Sequence, residues 1–171
     1  MSTEIKPWAE NDDLFFKMLE AGYGWQLLPY VYFKQHGFDV QMPKLDVRDS
    51  IKTAGTYRDT LDLLVDGHRI EVKSRAVRFT NPADWPSNRL PAFVDTESKY
   101  DSHAEQPLAY IFVSQLTGAM VCTDGRSCAK SRWSIVSKRD RVRNINENFY
   151  AVDRQYLRSL DTLVDLLREI S

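Results

Sequence analysis

The chain has 171 residues, a length that fits one domain and suffices to bury a real hydrophobic core. Its 43% hydrophobic and 27% charged residues are ordinary for a globular protein. A formal net charge of −1 excludes binding of nucleic acid through overall basicity, so any DNA-binding surface must come from segregation of charge. Cys122 and Cys128 are too few for a disulfide scaffold and lack the Cys/His partners of a closed zinc site. The N-terminal MSTEIKPWAENDD has no apolar core of a signal peptide, and no apolar run approaches the ~20 residues that span a bilayer. The expectation is a soluble cytoplasmic protein with two reduced thiols and no membrane segment.

In chain order, Leu14, Phe15, Met18 and Leu19 recur at helical spacing over residues 10–21. Gly22-Tyr23-Gly24 is expected to end that helix. A second helix carries Leu27, Leu28, Val31 and Tyr32, with Pro29 confined to its first turn and Gly37 closing it. Phe38, Val40 and Met42 alternate as in a strand, and residues 43–58 read as loop. In TLDLLVDGHRIEVKSR, Asp66-Gly67 sits between two β-rich runs, which predicts a hairpin with a type I′ turn. Residues 79–107 hold Pro82, Pro86, Pro91 and Pro107 and read as a long irregular excursion with a short helix near 95–104. Strands follow at Tyr110–Gln115, Ala119–Thr123 and Trp133–Val136, the first two joined by a turn at Thr117-Gly118. An amphipathic helix with Leu160, Leu163, Val164, Leu167 and Ile170 ends the chain. The order predicts an α/β (α+β) domain with a central mixed sheet flanked by helices.

A two-residue turn at Asp66-Gly67 fixes the hairpin register. Val65 then pairs with His68, Leu64 with Arg69, Leu63 with Ile70, Asp62 with Glu71 and Thr60 with Lys73. Asp62, Glu71 and Lys73 share one face, while Leu61, Leu63, Ile70 and Val72 face the core. Two opposed carboxylates repel across about 4.5–5.5 Å between Cβ atoms, against the usual pairing of unlike charges. Mg²⁺, a hard cation that prefers oxygen ligands, is the natural neutraliser. Lys73 beside them can place positive charge against an attacking water or a developing phosphorane. The competing reading is a solvated charged strand face.

At these residues the sequence resembles the PD-(D/E)XK nuclease superfamily, the restriction-endonuclease-like fold, over roughly residues 10–125. The resemblance makes Asp62 the first acid, Glu71 the second and Lys73 the lysine, with Val72 offering a backbone carbonyl to the metal. It departs from the family name in having Leu61, not proline, before Asp62. The family often adds an acid from its first helix, and here Gln26 or Glu20 occupies that region, with Gln26 better placed relative to Gly37. Gln115 at a strand end is a further accessory candidate. The implied activity is a Mg²⁺-dependent DNA endonuclease of restriction, homing, repair or junction-resolving type, with Mn²⁺ as a substitute. A homodimer is expected because duplex cleavage involves two strands. The alternative is a catalytically inactive nucleic-acid-binding module of the same fold.

Arg75 continues the hairpin's charged face and Arg78 follows. Residues 126–143 add Arg126, Lys130, Arg132, Lys138, Arg139, Arg141 and Arg143, with Asp140 as the only acid, a run suited to phosphate neutralisation. Trp85 and Tyr100 read as covers of the core edge, with base stacking as the alternative. His68 and His103 read as surface histidines.

Overall fold

The computed structural model describes residues 12–43, 63–86, 91–140 and 145–171, with the backbone alone for 12–20 and 140. It is a mixed α/β architecture in which a six-stranded sheet and a three-stranded sheet are packed with helices. The N-terminal helix α1 (Asp12–Gln35) is continuous through Gly22, Gly24 and Pro29, so the expected break at Gly22–Gly24 does not occur. Each glycine costs the helix about 1 kcal/mol relative to alanine, which is too little to end a 24-residue element. Pro29 lies inside the helix, where it removes a backbone donor. It is buried on one stripe with Gln26 and Phe33, so packing offsets that loss. Gly37, at φ +88°, closes α1 with Phe38 N donating to Phe33 O and Gly37 N to Lys34 O, the paired bonds of a Schellman end.

In the large sheet the strand order is β1 (Val40–Gln41), β2 (Leu63–Val65), β3 (His68–Arg75), β5 (Ala109–Ser114), β6 (Met120–Asp124) and β9 (Arg158–Ser159). The β2–β3 hairpin has the register derived from the turn: Val65 opposes His68, Leu64 opposes Arg69 and Leu63 opposes Ile70. Asp66 (φ +48°) and Gly67 (φ +80°) are both left-handed, as a type I′ turn requires. Asp66 is held there by Asp39, whose backbone N–H donates to Asp66 Oδ1 at 2.8 Å. The pairs that would follow, including Asp62 with Glu71, and the loop 43–58 beyond Pro43 lie outside the described residues. Strand β3 pairs parallel with β5, and every other pairing in this sheet is antiparallel.

The large sheet has a core on each face. On one, Leu63, Ile70, Ile111 and Val113 pack with Phe33 of α1 and with Leu160, Leu163, Val164 and Leu167 of the terminal helix α3 (Leu160–Ile170). On the other, Tyr110, Phe112 and Val121 meet the small sheet, ordered β4 (Ala92–Thr96), β8 (Ile145–Val152) and β7 (Ser134–Asp140). This sheet corrects the sequence reading twice. The excursion 79–107 contains an unforeseen β4 ahead of the expected short helix, α2 (Glu97–Ser102), and the strand expected at Trp133–Val136 runs on to Asp140 and pairs with an unforeseen β8. Trp85 and Tyr100, 2% and 1% exposed, are core residues, which removes them as base-stacking platforms. No helix among the described residues is long and apolar enough to cross a membrane.

Candidate active site

Alternation along β3 sends Ile70 and Val72 to the α1/α3 side and Arg69, Glu71, Lys73 and Arg75 toward the small sheet. Glu71 is buried, and Lys73 Nζ lies 2.6 Å from its Oε1. Arg69 Nη2 reaches the other oxygen, Oε2, at 3.1 Å. The sequence-derived pair Glu71 and Lys73 is therefore in direct contact, at the boundary between the two sheets.

The structure adds a second carboxylate that the sequence reading missed. Asp95, also buried, comes from β4, where the pairing with β8 shifts register between Phe93 and Thr96. Such irregularities re-aim side chains, and here both Val94 and Asp95 are interior. Asp95 Oδ2 lies 3.7 Å from Lys73 Nζ and 3.3 Å from Lys99 Nζ. Lys99 also approaches Glu71 Oε1 at 3.4 Å, so one ammonium bridges the two acids. It is positioned by the start of α2, where Thr96 Oγ1 accepts from Lys99 N. The Thr96-Glu97 start was the legible signal for this helix.

Arg69, Lys73 and Lys99 outnumber Glu71 and Asp95 by one positive charge among the described residues. Burial pulls the Lys99 ammonium toward deprotonation, but Glu71 and Asp95 outweigh it and hold its pKa above the ordinary value. Tyr110, the parallel register partner of Glu71, has a buried hydroxyl with no hydrogen-bond partner among the described residues. Burial, then the Glu71 and Asp95 charges, push that phenol well above its ordinary pKa, so it stays protonated. Lys73 Nζ sits 5.9 Å from the Tyr110 ring centroid, within cation–π range.

His103, read from sequence as a surface histidine, ends α2 beside this cluster, its Nδ1 3.5 Å from Arg69 Nη1. Burial and the Arg69 and Lys99 charges lower its pKa, so at neutral pH it is uncharged. The unfolded chain then binds the proton more readily than the folded one, and stability falls as pH drops below about 6.5. We expect His103→Gln to flatten the thermal-unfolding profile between pH 7.5 and the acid side of that value. A slope equal to the parent's would place the effect elsewhere.

The other sequence-derived candidates are dispersed. Asp62 lies outside the described residues. Val72 turns its side chain into the α1/α3 core, leaving its backbone as its contribution to the site. Gln26 is buried on α1, its Oε1 without a partner among the described residues. Glu20 lies on the same helix. Gln115 donates from Nε2 to Ser74 Oγ at 3.0 Å, on the face of β3 opposite Glu71. Arg75 is clamped, donating to Ser74 O and to Phe93 O.

The basic run is divided. Arg126 is engaged by Asp124 at 2.8 Å and Lys130 by Asp101 at 2.7 Å, whereas Arg78, Arg132, Lys138 and Arg139 are exposed. Arg141 and Arg143 lie outside the described residues.

Carboxylate oxygens are the donors that Mg²⁺ prefers, and Glu71 and Asp95 supply them. Among the described residues no three acidic, histidine or cysteine groups converge to hold a metal ion. A metal site at Glu71 and Asp95 therefore needs a further donor. Comparison with protein-family models, with curated proteins and with solved structures finds no match for this chain.

Proposed function

We propose that the chain is a Mg²⁺-dependent deoxyribonuclease that hydrolyses phosphodiester bonds at the β3 site. The observation that carries this reading is the buried Glu71 carboxylate in contact with Lys73, at the boundary of the two sheets. The hairpin register up to Leu63–Ile70 supports it, because the next pair in sequence is Asp62 with Glu71. Asp62, Glu71 and the Val72 carbonyl would hold the cation, and Mg²⁺, when bound, supplies positive charge against the phosphate.

The remaining chemistry belongs to the chain. Lys73 orients the attacking water and opposes charge developing on the phosphorus oxygens. Arg69 and Lys99 place positive charge beside a phosphate that enters the cluster. Lys99 is suited to move from Glu71 to substrate because its side chain is 42% exposed, so its bridging contacts are weak. Asp95 holds Lys99 near the site when it leaves Glu71. A symmetric dimer would present two such sites to the two strands of DNA.

The test is cleavage of plasmid and branched DNA with Mg²⁺ or Mn²⁺, beside a chelated control. Metal-dependent cleavage is the expected result. Salt-sensitive DNA binding without cleavage under any metal would support the alternative, an inactive nucleic-acid-binding module. One observation favours that alternative: Glu71 already has three cationic neighbours, so its charge is compensated by protein groups.

A further inference from the structure

Two residues beyond Lys73, on the same face of β3, Arg75 marks the edge of a cavity of about 350 Å³. At roughly 3.3 Å per residue, its backbone is only about 6.6 Å from that of Lys73. The cavity is lined by Trp85, Pro91, Phe93, Lys138 and Phe149 together with Arg75. Phe93 and Phe149 are half-buried and meet edge to face, with centroids 5.5 Å apart. Lys138 Nζ lies 4.9 Å over the Phe93 ring on an exposed side chain, so this aromatic face already accommodates a cation and is reachable from solvent.

The volume lies at the small end of ligand pockets. Its lining combines flat apolar rings with basic groups and, among the described residues, contains no acid. A nucleobase has a π-face to stack and a phosphate to neutralise, which is what aromatic-plus-basic single-strand sites recognise. A base within a duplex is stacked on its neighbours and cannot enter such a cavity without being unstacked.

We infer that the Phe93–Phe149 cavity takes an unpaired nucleobase of a DNA strand whose adjoining phosphate lies in the Glu71–Lys73 cluster, so that the substrate carries single-stranded character at the reacting position. The inference rests on the nucleic-acid reading of the β3 site and narrows its substrate class. Lys138 moves from the Phe93 ring to the backbone phosphate as the base stacks.

The experiment measures affinity without turnover. Fluorescence anisotropy in EDTA compares a short oligothymidylate, a blunt duplex of the same sequence length, and an abasic strand of the same length and charge. The parent protein is expected to bind the oligothymidylate most tightly. Phe149→Leu and Phe93→Leu keep apolar volume but remove the π-face, and are expected to weaken oligothymidylate binding about 5- to 150-fold. Lys138→Ala should reduce the salt dependence by about 0.7 in log–log slope. Equal binding of abasic and base-bearing strands by the parent overturns the inference even if the variants fold poorly. Undiminished binding by folded Phe149→Leu does the same. Base-dependent binding with no cleavage of any DNA would remove the nuclease reading and leave this inference standing. Cleavage of duplex with no single-strand preference would do the reverse.

Discussion

Lys73→Ala is expected to lower metal-dependent cleavage by roughly 10²- to 10³-fold, the scale of removing one positioned transition-state donor. The variant should stay folded. Glu71 loses the ammonium at 2.6 Å but keeps Arg69 at 3.1 Å and Lys99 at 3.4 Å, so no buried carboxylate is left bare. Lys73 is itself 17% exposed, and its loss opens space at the boundary of the sheets, not in the centre of a core. Asp62→Ala is expected to lose activity by a comparable factor, because under the proposed function it removes the acid that a continued hairpin register would set against Glu71. Thermal unfolding beside the cleavage assay separates chemistry from folding. Activity equal to the parent's in both folded variants would end the catalytic assignment.

Tyr100→Ala is expected to destabilise the chain by about 3–5 kcal/mol, the range for deleting a buried aromatic. The ring is 1% exposed and packs edge to face on Trp133 and Tyr150, with centroids 5.0 and 5.4 Å away. Its hydroxyl donates to Gly125 O at 2.9 Å. That contact is close to a site without room for change. A Cβ added at Gly125 would come within 2.5 Å of Pro107 O and 3.1 Å of the Tyr110 ring. Tyr100→Phe keeps the ring and should cost only about 1 kcal/mol, the net worth of one hydrogen bond. Urea denaturation distinguishes the two substitutions. A Tyr100→Ala protein as stable as the parent, but defective in DNA binding, would restore the base-stacking role that burial removes.

What could be read from the sequence follows from how local each signal is. Asp66-Gly67 encodes its own turn, because both residues tolerate positive φ, and the register of Leu63–Val65 against His68–Ile70 follows from it. Residues 160–170 carry an apolar stripe every three to four positions, and Leu160, Leu163, Val164 and Leu167 are buried as that stripe requires. Ile170 at its end is exposed. The continuity of α1 was hidden because Gly22, Gly24 and Pro29 are locally unfavourable, yet the glycines cost too little to end the helix and packing of the Pro29 stripe offsets its lost donor.

Strand β8 was hidden for another reason. Asn146, Glu147 and Asn148 are polar and give no alternation, yet Glu147 pairs across the ladder with Lys138 and Asn148 with Ser137. Within the site, Glu71 and Lys73 were legible because they lie two apart on one strand. Asp95, Lys99 and His103 were not: a short helix near 95–104 was expected, but the irregular strand β4 that carries Asp95 and sets that helix against β3 was not. Only coordinates join residues 69–73 to residues 95–103.

Under the proposed function, carboxylates of the β2–β3 hairpin region grip a divalent cation. A calorimetric titration with Mn²⁺ of the parent chain, Glu71→Gln and Asp62→Asn addresses it without requiring a known substrate. The account predicts saturable binding by the parent and at least ~10-fold weaker binding by each variant, about 1.4 kcal/mol per lost anionic ligand. Mn²⁺ binding unchanged in both variants, or absent from the parent, would contradict it.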